Sequence, residues 1–127
     1  MEILEELLYS KEHEWVRQEN GEVIEGITDY AQSELSDIVY IELPEEGTEV
    51  RKGEAIGTIE AVKTVSDLYA VLSGTITKVN KELDDHPELV NKDPYDAGWI
   101  VRIKIGDPEE LGTLMEASEY KDLISRE

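Results

Sequence analysis

The stretch Val50–Asn80, VRKGEAIGTIEAVKTVSDLYAVLSGTITKVN, decides the fold. It holds several short runs rich in β-branched residues, with Gly53 and Ser73-Gly74 between them and Gly47 just upstream. Short apolar runs punctuated by turn residues at this spacing read as antiparallel strands. Two of them, Ala55–Ala61 and Val65–Ala70, are separated by so few residues that a tight hairpin is expected. Lys63 then projects from its tip, flanked by Ala61, Val62 and Val65. The commonest fate of a lysine is to be an ordinary exposed side chain. An apolar tip on a highly charged chain is different, because it exposes hydrophobic area that no core uses. Such a tip makes sense where another protein must read it.

Working outward, His13–Arg17 and Glu22–Thr28 flank Glu19-Asn20-Gly21, and Asn-Gly is a hairpin signal because both residues tolerate positive φ. Thr28 or Asp29 can cap a short helix that places Ala31 and Leu35 on one face. Ile38–Leu43 alternates, with Val39, Ile41 and Leu43 expected on one side and Tyr40 and Glu42 on the other, until Pro44 ends it. Trp99–Ile105 alternates again, with Trp99, Val101, Ile103 and Ile105 on one face. The intervening ELDDHPELVNKDPYDAG, residues 82–98, reads as a polar loop over one end of the sheet. A helical tail over 107–127 is predicted from Asp107 as cap, Pro108 at the first position, a Thr113–Glu116 capping box, and Tyr120, Leu123 and Ile124 at helical spacing. The fold class expected is mainly β: a small sandwich or barrel with short helices, including one at the C-terminus.

Composition excludes many functions. The 127 residues weigh 14.4 kDa, which suits a single domain spanning 1–127. Thirty-one Asp and Glu against twelve Lys and Arg leave a formal charge of −19. That balance argues against nucleic acid and anionic membranes, both of which need a basic surface. No apolar run is long enough to span a bilayer, and MEILEELLYS, with three glutamates and no arginine, has the character of neither a secretory signal nor a transit peptide. With no cysteine there is no thiolate nucleophile and no Cys-based metal site; a cytoplasmic location is expected. His13 and His86 have no partner at metal spacing, and Asp84-Asp85-His86 reads as a solvated loop. NKDPYDAG has its acids at the wrong offsets for a calcium loop, and Gly53–Gly57 lacks the lysine of a phosphate cradle. No metal site is expected, and no free-standing catalytic constellation stands out.

The segment around Lys63 resembles the attachment hairpin of lipoyl/biotinyl-type domains. More broadly, YSKEHEWV, GITDYAQSELSDIVYIELPEEG, the 50–80 stretch and ELVNKDPYDAGWIVRIKI are similar, in order and over nearly the whole chain, to the H-protein family of the glycine cleavage system. The family's attachment motif reads Glu-Ser-Val-Lys; here it is Glu60-Ala61-Val62-Lys63, with alanine in place of serine and the acyl acceptor retained. A biotinyl domain would place methionines beside the lysine, and Met1 and Met115 are both remote.

The resemblance implies a lipoyl/biotinyl-like sandwich or barrel of the hybrid-motif kind, with lipoate joined to Lys63 by an amide. Roughly ten bonds of ~1.5 Å would give the arm a reach on the order of 12 Å. It also implies a non-catalytic carrier. A pyridoxal-phosphate glycine decarboxylase (P protein) would load an aminomethyl group. A folate-dependent aminomethyltransferase (T protein) would remove it, and dihydrolipoamide dehydrogenase (L protein) would reoxidise the dithiol. A lipoate ligase or lipoyl transferase would attach the arm, reading Glu60 and Val62. Glu12, Glu14 and Asp67, by their places in the matching segments, are candidates for a groove that holds the cationic end of the loaded arm. A monomer is expected. The alternatives are a lipoyl carrier or relay protein of another pathway and an unmodified scaffolding relative.

Overall fold

At Asn20-Gly21 both residues lie in the left-handed region, at φ 50° and 78°, as a two-residue hairpin turn requires. Strands β2 (Glu14–Glu19) and β3 (Glu22–Ile27) therefore pair antiparallel from Glu19↔Glu22 to Glu14↔Ile27. The computed structural model describes residues 1–127 and builds two sheets around this hairpin. With β1 (Leu8–Tyr9), β5 (Glu49–Val50), β8 (Gly74–Val79) and β9 (Val101–Ile105), the first sheet runs β1-β2-β3-β9-β8-β5. The second contains β4 (Ile38–Glu42), β6 (Ala55–Ala61) and β7 (Val65–Tyr69) in the order β4-β6-β7.

Both sheets contribute to the main core, with Val16, Val23 and Ile103 from the first and Ile41, Ile59 and Leu68 from the second. A smaller cluster holds Tyr9, Trp15, Tyr95 and Tyr120. There Tyr9 and Tyr120 stack at 4.6 Å, and the Trp15 indole N–H donates to the Pro94 carbonyl at 2.8 Å. Helix α1 (Asp29–Leu35) is capped by Thr28, whose hydroxyl accepts from the Ala31 N–H at 3.2 Å. Ala31 and Leu35 pack on the main core, as their spacing predicts.

Four expectations are corrected. Val39 points to solvent, 54% exposed, because the β4–β6 pairing slips between Ile38 and Tyr40; the irregularity leaves two successive side chains, Val39 and Tyr40, outside. Residues 82–98 are not a plain loop but carry the short helices α2 (Glu82–Asp85) and α3 (Leu89–Lys92), which bury Leu83 and Val90. Trp99 precedes β9 and joins the aromatic cluster, while Ile100 and Val101 both enter the main core. The tail splits in two: Asp107 caps a 3-10 turn over Pro108–Thr113, and Glu116 rather than Thr113 caps α4 (Ala117–Ile124), in a reciprocal box with Glu119. Ser125 follows α4 as its cap, so the helix is shorter than the 107–127 span read from the sequence.

Candidate functional site

The lysine-bearing hairpin is built as its sequence suggests. β6 and β7 pair from Ala55↔Tyr69 to Glu60↔Val65, and the Ala61 N–H donates to the Thr64 carbonyl at 2.8 Å, closing a turn over Val62 and Lys63. β6 is the central strand of its sheet, held on the other side by Ile38↔Ala61 and Tyr40↔Glu60. The Val62 N–H donates to the Asp37 carbonyl at 3.0 Å, so the turn is tied to the rest of the sheet. Lys63 is exposed and belongs to none of the ion pairs, which engage His13, His86 and Arg102. Its amine is open to acylation from solvent. Val62 and Val65 beside it are 68% and 59% exposed, and Val39 and Tyr40 extend the apolar surface across the sheet. Ala61, expected with them, is buried: it faces inward opposite Ile38. Glu60 is half-buried.

A cavity of about 230 Å³ opens beside this hairpin. Glu12, Glu14 and Asp67 all line it, together with Glu34 and Glu127; His13 supplies an imidazole, and the lining contains no lysine or arginine. Asp67 sits on the arm that leaves the Lys63 turn, four residues along, about 13 Å of extended chain. His13 is fixed in a left-handed conformation, φ 66°, with Nδ1 at 2.9 Å from the Tyr120 hydroxyl and Nε2 at 3.4 Å from Glu127.

The three candidate acids are not equivalent. Glu12 and Asp67 are exposed, whereas Glu14 is 2% exposed. Glu14 Oε2 accepts the Tyr69 N–H at 2.8 Å and Oε1 accepts the Ser10 hydroxyl at 3.2 Å. Burial pushes its carboxyl up to about 8; the Tyr69 and Ser10 hydrogen bonds oppose the shift, Glu12 adds to it and Lys52 reduces it. Glu25, which sequence reasoning passed over, lies on the same face of the β2–β3 hairpin: it pairs with Val16, two residues from Glu14. It is fully buried; Oε1 accepts the Val71 N–H at 3.2 Å and Oε2 has no partner. Burial first, and the neighbouring Glu14 second, raise its carboxyl well above the ordinary range. The signal was present in EVIEGI, where Val23, Glu25 and Ile27 alternate toward the core, so one inward position carries an acid.

Two β-sheets, short helices and a lysine at the tip of a protruding hairpin define the lipoyl/biotinyl-like class of fold. Comparison with known proteins narrows it. The profile of the family described as "Glycine cleavage H-protein" matches residues 7–127. The glycine cleavage system H protein of Geobacillus kaustophilus is 55% identical over 120 residues, 94% of each chain. That of Staphylococcus carnosus is 50% identical over 124 residues, 98% of each. The crystal structure of a glycine cleavage system H protein from Mycobacterium marinum superposes with a TM-score of 0.86 at 37% identity, covering 97% of this chain and 99% of that one. The chain belongs to the glycine cleavage H-protein family, and its role lies in glycine cleavage. No helix is long and apolar enough to cross a membrane.

Proposed function

We propose that the chain is a single carrier domain, spanning 1–127, that bears lipoate on Lys63 and does no bond-making chemistry with its own side chains. The observation that carries this reading is the exposed, unpaired Lys63 at the tip of a hairpin whose first strand is paired by backbone on both sides. When bound, the lipoyl group supplies a dithiol that takes up and gives up the aminomethyl group of glycine. The chain's residues do the rest. The rigid turn holds the arm's root, and Val62, Val65, Val39 and Tyr40 surround it with an apolar surface for the proteins that act on it. Glu60 and Val62 serve as landmarks for the lipoate ligase or lipoyl transferase. The acid-lined cavity, with Glu12, Glu14 and Asp67, receives the cationic end of the loaded arm and shields it from water.

The partners are then the glycine decarboxylase, the aminomethyltransferase and dihydrolipoamide dehydrogenase, met one at a time by a cytoplasmic monomer. The test is Lys63→Arg in a reconstituted system. Arginine keeps charge and length but its guanidinium does not accept the acyl group, so lipoylation and glycine-dependent carbon dioxide exchange should vanish with melting unchanged. Exchange at the parental rate would show that Lys63 is not the attachment site.

A further inference from the structure

Two buried carboxyl groups stand behind the cavity, and together they grip the strand that leaves the lysine hairpin. Glu14 accepts from the Tyr69 N–H and Glu25 from the Val71 N–H, alternate residues on one edge of the chain. Between them the Ala70 N–H turns the other way, to the Glu54 carbonyl. The two acids thus replace a neighbouring strand: side chains, not backbone, hold this edge to the first sheet. Such an acceptor changes strength with its charge, since a hydrogen bond to a carboxylate is roughly twice as strong as one to a neutral group.

The surroundings of Glu14 decide when it is charged. Glu25 neighbours it from β3, and the other titratable groups lining its cavity are Glu12 and His13 from the segment before β2, Tyr30 and Glu34 from α1, Asp67 from β7 and Glu127 from the chain end. Lys52, before β6, brings an opposing charge: its ammonium donates to the Val71 carbonyl at 3.4 Å and lowers the Glu14 carboxyl, less than burial raises it. A carboxyl buried among acids, with a backbone N–H and a hydroxyl as its partners and no ion pair of its own, has little to balance a negative charge. A cation entering the cavity would balance it.

We propose that the cavity exchanges a proton for a cation: entry of the loaded arm's ammonium expels one proton from Glu14, and the ionised Glu14 tightens its grip on Tyr69 and so on the stem of the lysine hairpin. Charge balances, with one positive charge in and one proton out to solvent. Glu25, buried more deeply and repelled by the new charge, keeps its proton throughout and anchors Val71 as a neutral acceptor. Its positive shift from burial agrees with that role. The inference rests on the carrier reading in one respect, that the cation is the amine of the arm on Lys63.

The test is carbon-13 NMR of the full chain labelled at glutamate carboxyls, titrated from pH 5 to 10. In the unlipoylated chain one carboxyl should titrate near pH 8, and the Tyr69 amide proton should move downfield along the same curve. Glu14→Gln should remove that transition and Glu25→Gln should leave it. In the reduced, lipoylated chain carrying the glycine-derived amine, Glu14 should already be ionised at pH 7. Glu14 titrating among the surface glutamates, or a Tyr69 amide indifferent to its transition, would overturn the grip. A transition unmoved between empty and loaded chains would overturn the exchange. The unlipoylated chain decides the first two points whatever becomes of the carrier reading, which Lys63→Arg tests separately.

Discussion

Replacing Glu14 by glutamine should flatten the pH dependence of folding stability, and the size of the effect follows from its burial. In the unfolded chain a glutamate loses its proton near 4.5; in the folded chain Glu14 holds it until about 8. Between those values the native state binds a proton that the unfolded state has released, so stability falls as pH rises. Each pH unit in that window costs about 1.4 kcal/mol, so the loss from pH 5 to pH 7 is on the order of 3 kcal/mol. The contribution is whole below the unfolded value and is gone once pH has passed through 8. Glutamine is uncharged at every pH and can still accept the Tyr69 N–H, so Glu14→Gln should lose that slope and keep the fold. Glu25→Gln should remove a second slope of the same sign, because burial raises Glu25 too. Urea denaturation at constant ionic strength, from pH 5 to pH 9, measures this directly; comparing variant with parent cancels the general repulsion of an acidic surface. Parallel curves for Glu14→Gln and the parent would refute the reasoning.

Two further outcomes are expected. Gly57→Ala should destabilise the chain by about 1–3 kcal/mol, because a Cβ there would collide with the Glu42 carbonyl oxygen and force β4 off β6; a thermal melt like the parent's would contradict this. The rate at which the decarboxylase loads the arm, at limiting carrier, should fall as salt shortens the Debye length from ~30 Å at 0.01 M to ~10 Å at 0.1 M, since a charge of −19 steers encounter; a flat rate with both proteins folded would leave the charge a matter of solubility.

The lysine hairpin was legible because its signals are local: strand residues, a short turn and an apolar tip within one stretch of sequence. The Asn20-Gly21 hairpin was legible for the same reason. Val39 was not, since alternation assumes an unbroken ladder and the slip between Ile38 and Tyr40 depends on how β6 meets β4. Helices α2 and α3 are single turns whose buried residues, Leu83 and Val90, are too sparse to show a period. At the tail the Thr113–Glu116 box was read one step early: Glu116 is itself the cap, in a reciprocal box with Glu119, a pairing of two glutamates that lacks the usual hydroxyl signal. The convergence of Glu12, Glu14 and Asp67 on one cavity came from family resemblance, because nothing local says that β2 and β7 face each other there. Glu25 was passed over although the alternation of EVIEGI turns it inward, and the N–H it receives comes from Val71, 46 positions along the chain.

The most direct test of the account is the intact mass of the chain purified from its native cells, followed by fragmentation across the 55–70 hairpin. An adduct of about 188 Da, the mass of lipoic acid less water, is expected on Lys63. A chain that carries no adduct at Lys63 while its cells are cleaving glycine would contradict it.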